Sequence, residues 1–283
     1  MRDCLGTVPH FYFTIRYLLL YDNNNFNNDI TIMSIFLKKF STHSEYEQYI
    51  NSSGVILPNV SICTTEEDVH YNPYIDPYAG HDYVEIGGVK WATMNIGANS
   101  ITDTGLYFQW GDISGYSSSQ VGSGAGQKYF SWADYKYGNG TSSPGATGMT
   151  KYNTTDGKTV LDISDDAARA NWGGQWRMPT TEEYAALGDA VNTAWTDDYQ
   201  GSGVAGMIYT DKTDNSKVLF FPACGICSDG SVGNVGSQGR YWSSSLESSD
   251  VRYAYYLTFF DFYVDWEEYS LRFYGFPVRG VVG

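Results

Sequence analysis

Between Val251 and Phe259 the large apolar residues Val251, Tyr253, Tyr255, Leu257 and Phe259 all share one parity, whereas Val264 and Trp266 occupy the other. Successive side chains of a strand point to opposite faces, so this change of phase requires a turn. The pattern predicts a hairpin of residues 251–259 and 263–269 with its tip near Asp261. Leu257, Phe259, Val264 and Trp266 then face a core. Arg252, Tyr256, Thr258, Phe260, Asp261, Phe262, Tyr263, Asp265, Glu267 and Tyr269 face away from it. Earlier in the chain, Tyr83–Ala92 alternates around Gly87-Gly88, the mark of a second hairpin. Two helices are signalled between them. Ser164-Asp-Asp offers a cap and an acidic first turn, and Thr180 stands three residues before Glu183 in a capping box. Trp176, Met178 and Leu187 are expected in the core around that second helix, and from Val204 onward the chain reads as strands and turns.

The N-terminal part reads differently. Ser44-Glu-Tyr-Glu47 is a capping box for a helix reaching about Ile50, and Val55–Ile62 with Val69–Tyr71 reads as a hairpin. The expected organisation is a leader at 1–32, a helix-plus-hairpin module at 33–75, a linker at 76–82 and a main domain at 83–283. The apolar run Phe11–Leu20 is broken by Arg16 and followed by an Asn-rich tract, too short for a bilayer span and without the small-residue site of a signal peptide. Met33 is therefore the expected start, with residues 1–32 a non-native or disordered leader making no core contacts.

Composition sharpens the fold class. Aromatics make up 17% of the chain and Gly contributes 31 residues against 8 Pro, which favours short strands and tight turns over long helices. The class expected is α+β. A net charge of −15 without a basic run argues against nucleic acid or an anionic membrane surface as partner. The four cysteines, Cys4, Cys63, Cys224 and Cys227, are too few and too scattered for a disulfide framework. Cys224-Gly-Ile-Cys227 has metal-ligand spacing but no second pair or nearby His set to complete four ligands, so a turn after the strand Val218–Phe221 is the preferred reading.

The segment Trp172–Tyr184, with Trp176-Arg-Met-Pro-Thr-Thr-Glu-Glu183, resembles the helix entry of the C-type-lectin-like fold shared with formylglycine-generating enzymes. The likeness extends through Tyr83–Gly97, Gly105–Asp112, Tyr241-Trp-Ser-Ser-Ser245 and Gly275–Val281, which are similar to the Fibrobacter succinogenes major paralogous domain over residues 83–283. Residues 40–73 resemble a short N-terminal segment of phage structural proteins from gut anaerobes. The resemblance implies a twisted antiparallel sheet, two helices and long loops whose outer surface binds ligands. It also implies kinship with variable proteins of diversity-generating retroelements, whose adenine mutagenesis would fall at about Leu246–Tyr274. Such mutagenesis of Asn-type codons does not reach Glu, so Glu247, Glu267 and Glu268 require other template codons or a fixed origin.

Thirteen aromatics lie in the 34 residues from Tyr241 to Tyr274, more than one strand pair can bury. Exposed aromatic clusters mark interaction sites, and Tyr-rich surfaces flanked by Ser, Gly and Asp are the chemistry of antibody paratopes. Sheet packing is the competing explanation, since Tyr and Phe favour strands. The candidate ligand-binding residues are Arg252, Tyr256, Thr258, Phe260, Asp261, Phe262, Tyr263, Asp265, Glu267, Tyr269, Phe273 and Tyr274.

Enzyme readings are weaker. The tail after Cys227 has no cysteine for formylglycine-type chemistry, no Glu-Pro-Asn or Trp-Asn-Asp calcium signature occurs, and His81 is the sole histidine near the main domain. A paired-carboxylate glycosidase would need a spacing the sequence does not display. No catalytic residue, metal or cofactor is expected. The reading that results is a receptor-binding protein of a phage tail or virion, with a host-cell surface protein or glycan as partner and no membrane insertion. A bacterial surface adhesin or polysaccharide-binding domain is the alternative. The chain would be cytoplasmic on synthesis, then virion-borne or extracellular, and self-association or docking to virion proteins through the N-terminal module is compatible with it.

Overall fold

The computed structural model describes residues 78–283 throughout, together with the strand segments Phe11–Thr14, Leu37–Phe40 and Ile62–Cys63. The chain divides into two units, Met1–Pro73 and Tyr74–Gly283. In the first, β1 (Phe11–Thr14) pairs antiparallel with both β2 (Leu37–Phe40) and β3 (Ile62–Cys63). This corrects the expectation of an uninvolved leader: Phe-Tyr-Phe-Thr is a run of strong strand formers and occupies the centre of a sheet. The expected helix at 44–50 and the second strand at 69–71 lie outside the described residues.

The second unit is a mixed α+β structure, mostly antiparallel strands with few helices. Residues 78–82 belong to it rather than to a linker, because the Tyr78 carbonyl accepts from Trp176 Nε1 at 2.6 Å and the His81 ring stacks on Trp172 at 3.8 Å. β4 (Tyr83–Ile86) and β5 (Val89–Asn95) form the expected hairpin, with Gly87 and Gly88 both at positive φ, as a tight two-residue turn demands. β5 also pairs with β14 (Arg279–Val282).

Long loops then lead to α1 (Ala167–Trp172) and α2 (Thr181–Ala190). The cap of α1 is Asp166 rather than Ser164, which sits in a preceding 3-10 turn. One carboxylate there accepts from both Arg169 N at 2.9 Å and Met178 N at 2.7 Å, tying the helix to the next segment. At α2 the capping box forms as read, and Glu183 also pairs with Arg177 at 2.6 Å. Trp176, Met178 and Leu187 are buried, as expected.

Strand β6 (Val191–Thr196) follows directly and forms a meander with β7 (Gly206–Asp211) and β8 (Val218–Pro222). Then β9 (Ile226–Ser228) and β10 (Ser231–Gly233) make a small hairpin. The sheet of β11 (Gly239–Leu246), β12 (Tyr253–Phe260) and β13 (Tyr263–Leu271) lies between two hydrophobic cores. On one face Trp242 and Tyr256 pack with Phe276 at ring separations of 4.2 and 4.9 Å. On the other, Tyr241, Leu257 and Phe259 join Tyr184, Tyr209 and Phe221. Two glycines allow that close approach: a Cβ at Gly239 would sit 1.9 Å from the Phe259 ring, and one at Gly188 of α2 2.6 Å from the Trp266 indole.

Candidate ligand-binding surface

The hairpin of β12 and β13 turns at Asp261–Phe262, where the phase change placed it. Beyond the cores its tip is aromatic and open. Phe262 is 87% exposed and Tyr263 46%, and the half-buried Phe260 lies 6.3 Å from both rings, stacked on Phe262 and tilted against Tyr263. Tyr263 donates to Asp265 Oδ2 at 2.7 Å, a bond that favours the neutral phenol and raises its titration above that of an ordinary tyrosine. Asp265 Oδ1 accepts from the Glu267 amide at 3.0 Å, and Glu268 Oε1 from the Tyr269 amide at 3.2 Å. Glu267 lies with Tyr255 and Tyr269 on one sheet face, while beside Asp265 and Glu268 on the other stands Arg240, which the sequence pattern did not single out. Its guanidinium lies 5.6 Å from the centre of both the Tyr256 and the Phe276 ring. With the Gln238 side-chain oxygen turned toward it, that oxygen accepts from Arg240 Nε at 2.9 Å.

The structure does not keep the expected outward set on one surface. Tyr256, Thr258 and Phe273 are buried, correcting the expectation that they face solvent. The reason is that β12 is covered on both faces: Tyr256 lies beneath Arg240 and against Phe276, Thr258 donates to the Gly239 carbonyl at 3.2 Å, and Phe273 packs on Trp132. Burial pushes the Tyr256 phenol up to about 12. Tyr269 is exposed, yet on the opposite face from Tyr263. A bulge intervenes, with Thr258 opposite Asp265 but Tyr256 opposite Glu268, so one extra residue of β13 shifts its phase. Tyr269 thereby joins Tyr253 and Tyr255, with ring separations of 5.7 and 6.2 Å.

Arg252 lies at the far end of the hairpin and is engaged by Asp250 at 2.9 Å; Tyr274 is half-buried on Phe273. Val264 and Trp266, expected inside, are half-buried and pack against the core that contains Phe259. The residues gathered at the tip are therefore Phe260, Asp261, Phe262, Tyr263 and Asp265, with Glu267 exposed farther along β13.

A second aromatic and acidic assembly lies in the loops before α1. Asp165, largely buried, accepts from the Tyr152 hydroxyl at 2.6 Å, from Lys136 at 3.2 Å and from Lys151. Burial alone would raise its titration, but hydrogen bonds from Lys151, Tyr137, Tyr152 and Lys136 outweigh it and hold the carboxyl well below the ordinary carboxylate range. Cys224 and Cys227 are buried free thiols, both shifted up by burial. Among the described residues no group of three or more His, Cys, Asp and Glu side chains is placed to hold a metal ion, and no helix is long and apolar enough to cross a membrane. No family model matches the chain, and no curated protein or solved structure matches it either.

Proposed function

We propose that this chain is a non-enzymatic receptor-binding protein, of the kind carried on a phage tail or virion, whose C-terminal hairpin presents the ligand surface. The observation that carries the proposal is the tip itself: Phe260, Phe262 and Tyr263 cluster in solvent on a hairpin whose neighbouring strands are locked by two cores. Rigid aromatic rings exposed at a protruding turn contribute little to folding and offer a large contact area to a partner. The antiparallel sheets, the two helices and the long loops agree with the C-type-lectin-like fold implied by the sequence resemblance. Retroelement diversification of about Leu246–Tyr274 would then alter tip and core alike, since Leu257 and Phe259 are fully buried. Tolerated variation is expected at 260–265 and not at those two positions.

The test replaces Phe260, Phe262 and Tyr263 together by Ser and measures adsorption of the purified protein to host cells, with thermal unfolding in parallel. Loss of adsorption with unchanged unfolding is expected. Normal adsorption by the folded triple variant would remove the basis of the proposal.

A further inference from the structure

The tip's charge indicates the chemistry of the partner. Elsewhere in the second unit six acids pair with a lysine or arginine, namely Glu85, Asp134, Asp162, Asp165, Glu183 and Asp250, whereas others such as Asp103, Glu182, Asp197 and Asp229 have no ion pair among the described residues. What distinguishes the tip is that its acids stand beside exposed rings. Among the described residues no cation pairs with Asp261, Asp265, Glu267 or Glu268; Arg240, on the face of Asp265 and Glu268, contacts Gln238 and two aromatic rings and forms no ion pair with either acid. Asp265 lies in register with Thr258 and Arg240, and Glu268 with Tyr256, so these two acids and Arg240 share one face, while Glu267 lies with Tyr255 and Tyr269 on the other.

Unpaired carboxylates interleaved with exposed ring faces form a receptor for cations, because the ring quadrupole and the carboxylate attract the same guanidinium or ammonium. Resting on the reading of the hairpin as the binding surface, we infer that its partner is a protein surface presenting arginine and lysine side chains, which the carboxylates of β13 pair with while Phe260, Phe262 and Tyr263 stack on them. A neutral glycan can donate hydroxyls to these carboxylates but leaves their charge uncompensated. A basic protein gains both affinity and faster encounter, the latter falling with salt.

The experiment measures binding of the full chain to an immobilised peptide of alternating arginine and glycine, at low and at high salt. Three variants are compared: Asp261→Asn/Asp265→Asn/Glu268→Gln on the hairpin, Asp82→Asn/Asp103→Asn/Asp229→Asn as an equal loss of charge at distant exposed positions, and the triple Ser variant of the rings. The wild type is expected to bind, more weakly as salt rises. The hairpin charge variant should lose about ten-fold or more in affinity and the ring variant a similar factor, as rim charges and cation–π contacts sum, while the distant variant stays within about two-fold. Absence of wild-type binding, or equal losses from the two charge variants, overturns the inference. Cell adsorption separates this failure from that of the binding-surface reading. If the ring variant no longer adsorbs but the hairpin charge variant adsorbs normally, the surface is correct and the basic partner is wrong; if the ring variant adsorbs normally, both fall.

Discussion

Tyrosines and carboxylates meet twice in this molecule, with opposite outcomes. In the loops before α1, Tyr137 and Tyr152 surround Asp165, and Lys136 and Lys151 close the circuit. At the hairpin, Tyr263 leans on Asp265, and no lysine or arginine pairs with that carboxylate among the described residues. The first assembly is closed among the described residues; the second stands open to solvent. Similar residue types therefore serve architecture in one place and present an open surface in the other, and what separates them is the supply of cations.

The largest effect that would sharpen this contrast lies at Arg272, the fully buried hub beneath the loop assembly. Its guanidinium donates to the Tyr135 hydroxyl at 2.7 Å and to the carbonyls of Tyr152, Val251 and Lys151, and it lies 5.0 Å from the centre of the Trp110 ring. Arg272→Ala empties a core position and strands those acceptors together, so a loss of about 3 to 5 kcal/mol is expected in denaturant unfolding. A loss under about 1 kcal/mol, typical of surface positions, would contradict that role.

Next comes Asp165→Asn, which leaves two lysines without their shared carboxylate. A charge-assisted hydrogen bond contributes about 1.5 to 3 kcal/mol, and the half-exposed lysines reduce what each bond is worth, so a cost near the low end, about 2 kcal/mol, is expected. The same substitution should change the acid limb of stability. The folded carboxyl of Asp165 titrates below its unfolded value of about 4, so its contribution is present above that pH and is lost as pH falls below it. Wild type should therefore lose stability more steeply than Asp165→Asn on acidification below about pH 4, as followed by circular dichroism.

The smallest effects belong to the hairpin. Asp265→Asn removes a charge that no cation among the described residues pairs with, and a stability change within about 0.5 kcal/mol is expected. It should also lower the titration of Tyr263, because the amide no longer holds the phenol proton as the carboxylate does; ultraviolet absorbance titration reads this.

The hairpin and its tip were legible from the alternation of Leu257, Phe259, Val264 and Trp266, because period-2 patterning is enforced wherever one face must be dry. The helix entry at Thr180 was equally legible, since a cap depends only on residues three apart. What alternation does not reveal is a second cover. Tyr256 and Thr258 were assigned to solvent by parity, yet Phe276 and Arg240, 20 and 16 residues away, close that face. Nor does parity register a bulge: the extra residue of β13 carries Tyr269 to the other side with no Gly or Pro to announce it. The strand Phe11–Thr14 was passed over for a different reason, because an apolar run beside an Asn-rich tract shows no partner until the sheet is formed.

The pairing of β5 with β14 sets the order in which this fold can close. Asn95 reaches its hydrogen-bond partner Arg279 only 184 residues later, and that arginine also donates to the carbonyls of Ala92 and Phe220. Contacts of such sequence separation form late, since the intervening chain must be gathered before they repay its entropy. During synthesis, one edge of β5 therefore stays unpaired until nearly the whole second unit has left the ribosome. The hairpin of β12 and β13 lies between β5 and β14 in sequence, so it is gathered inside the loop that this last pairing closes.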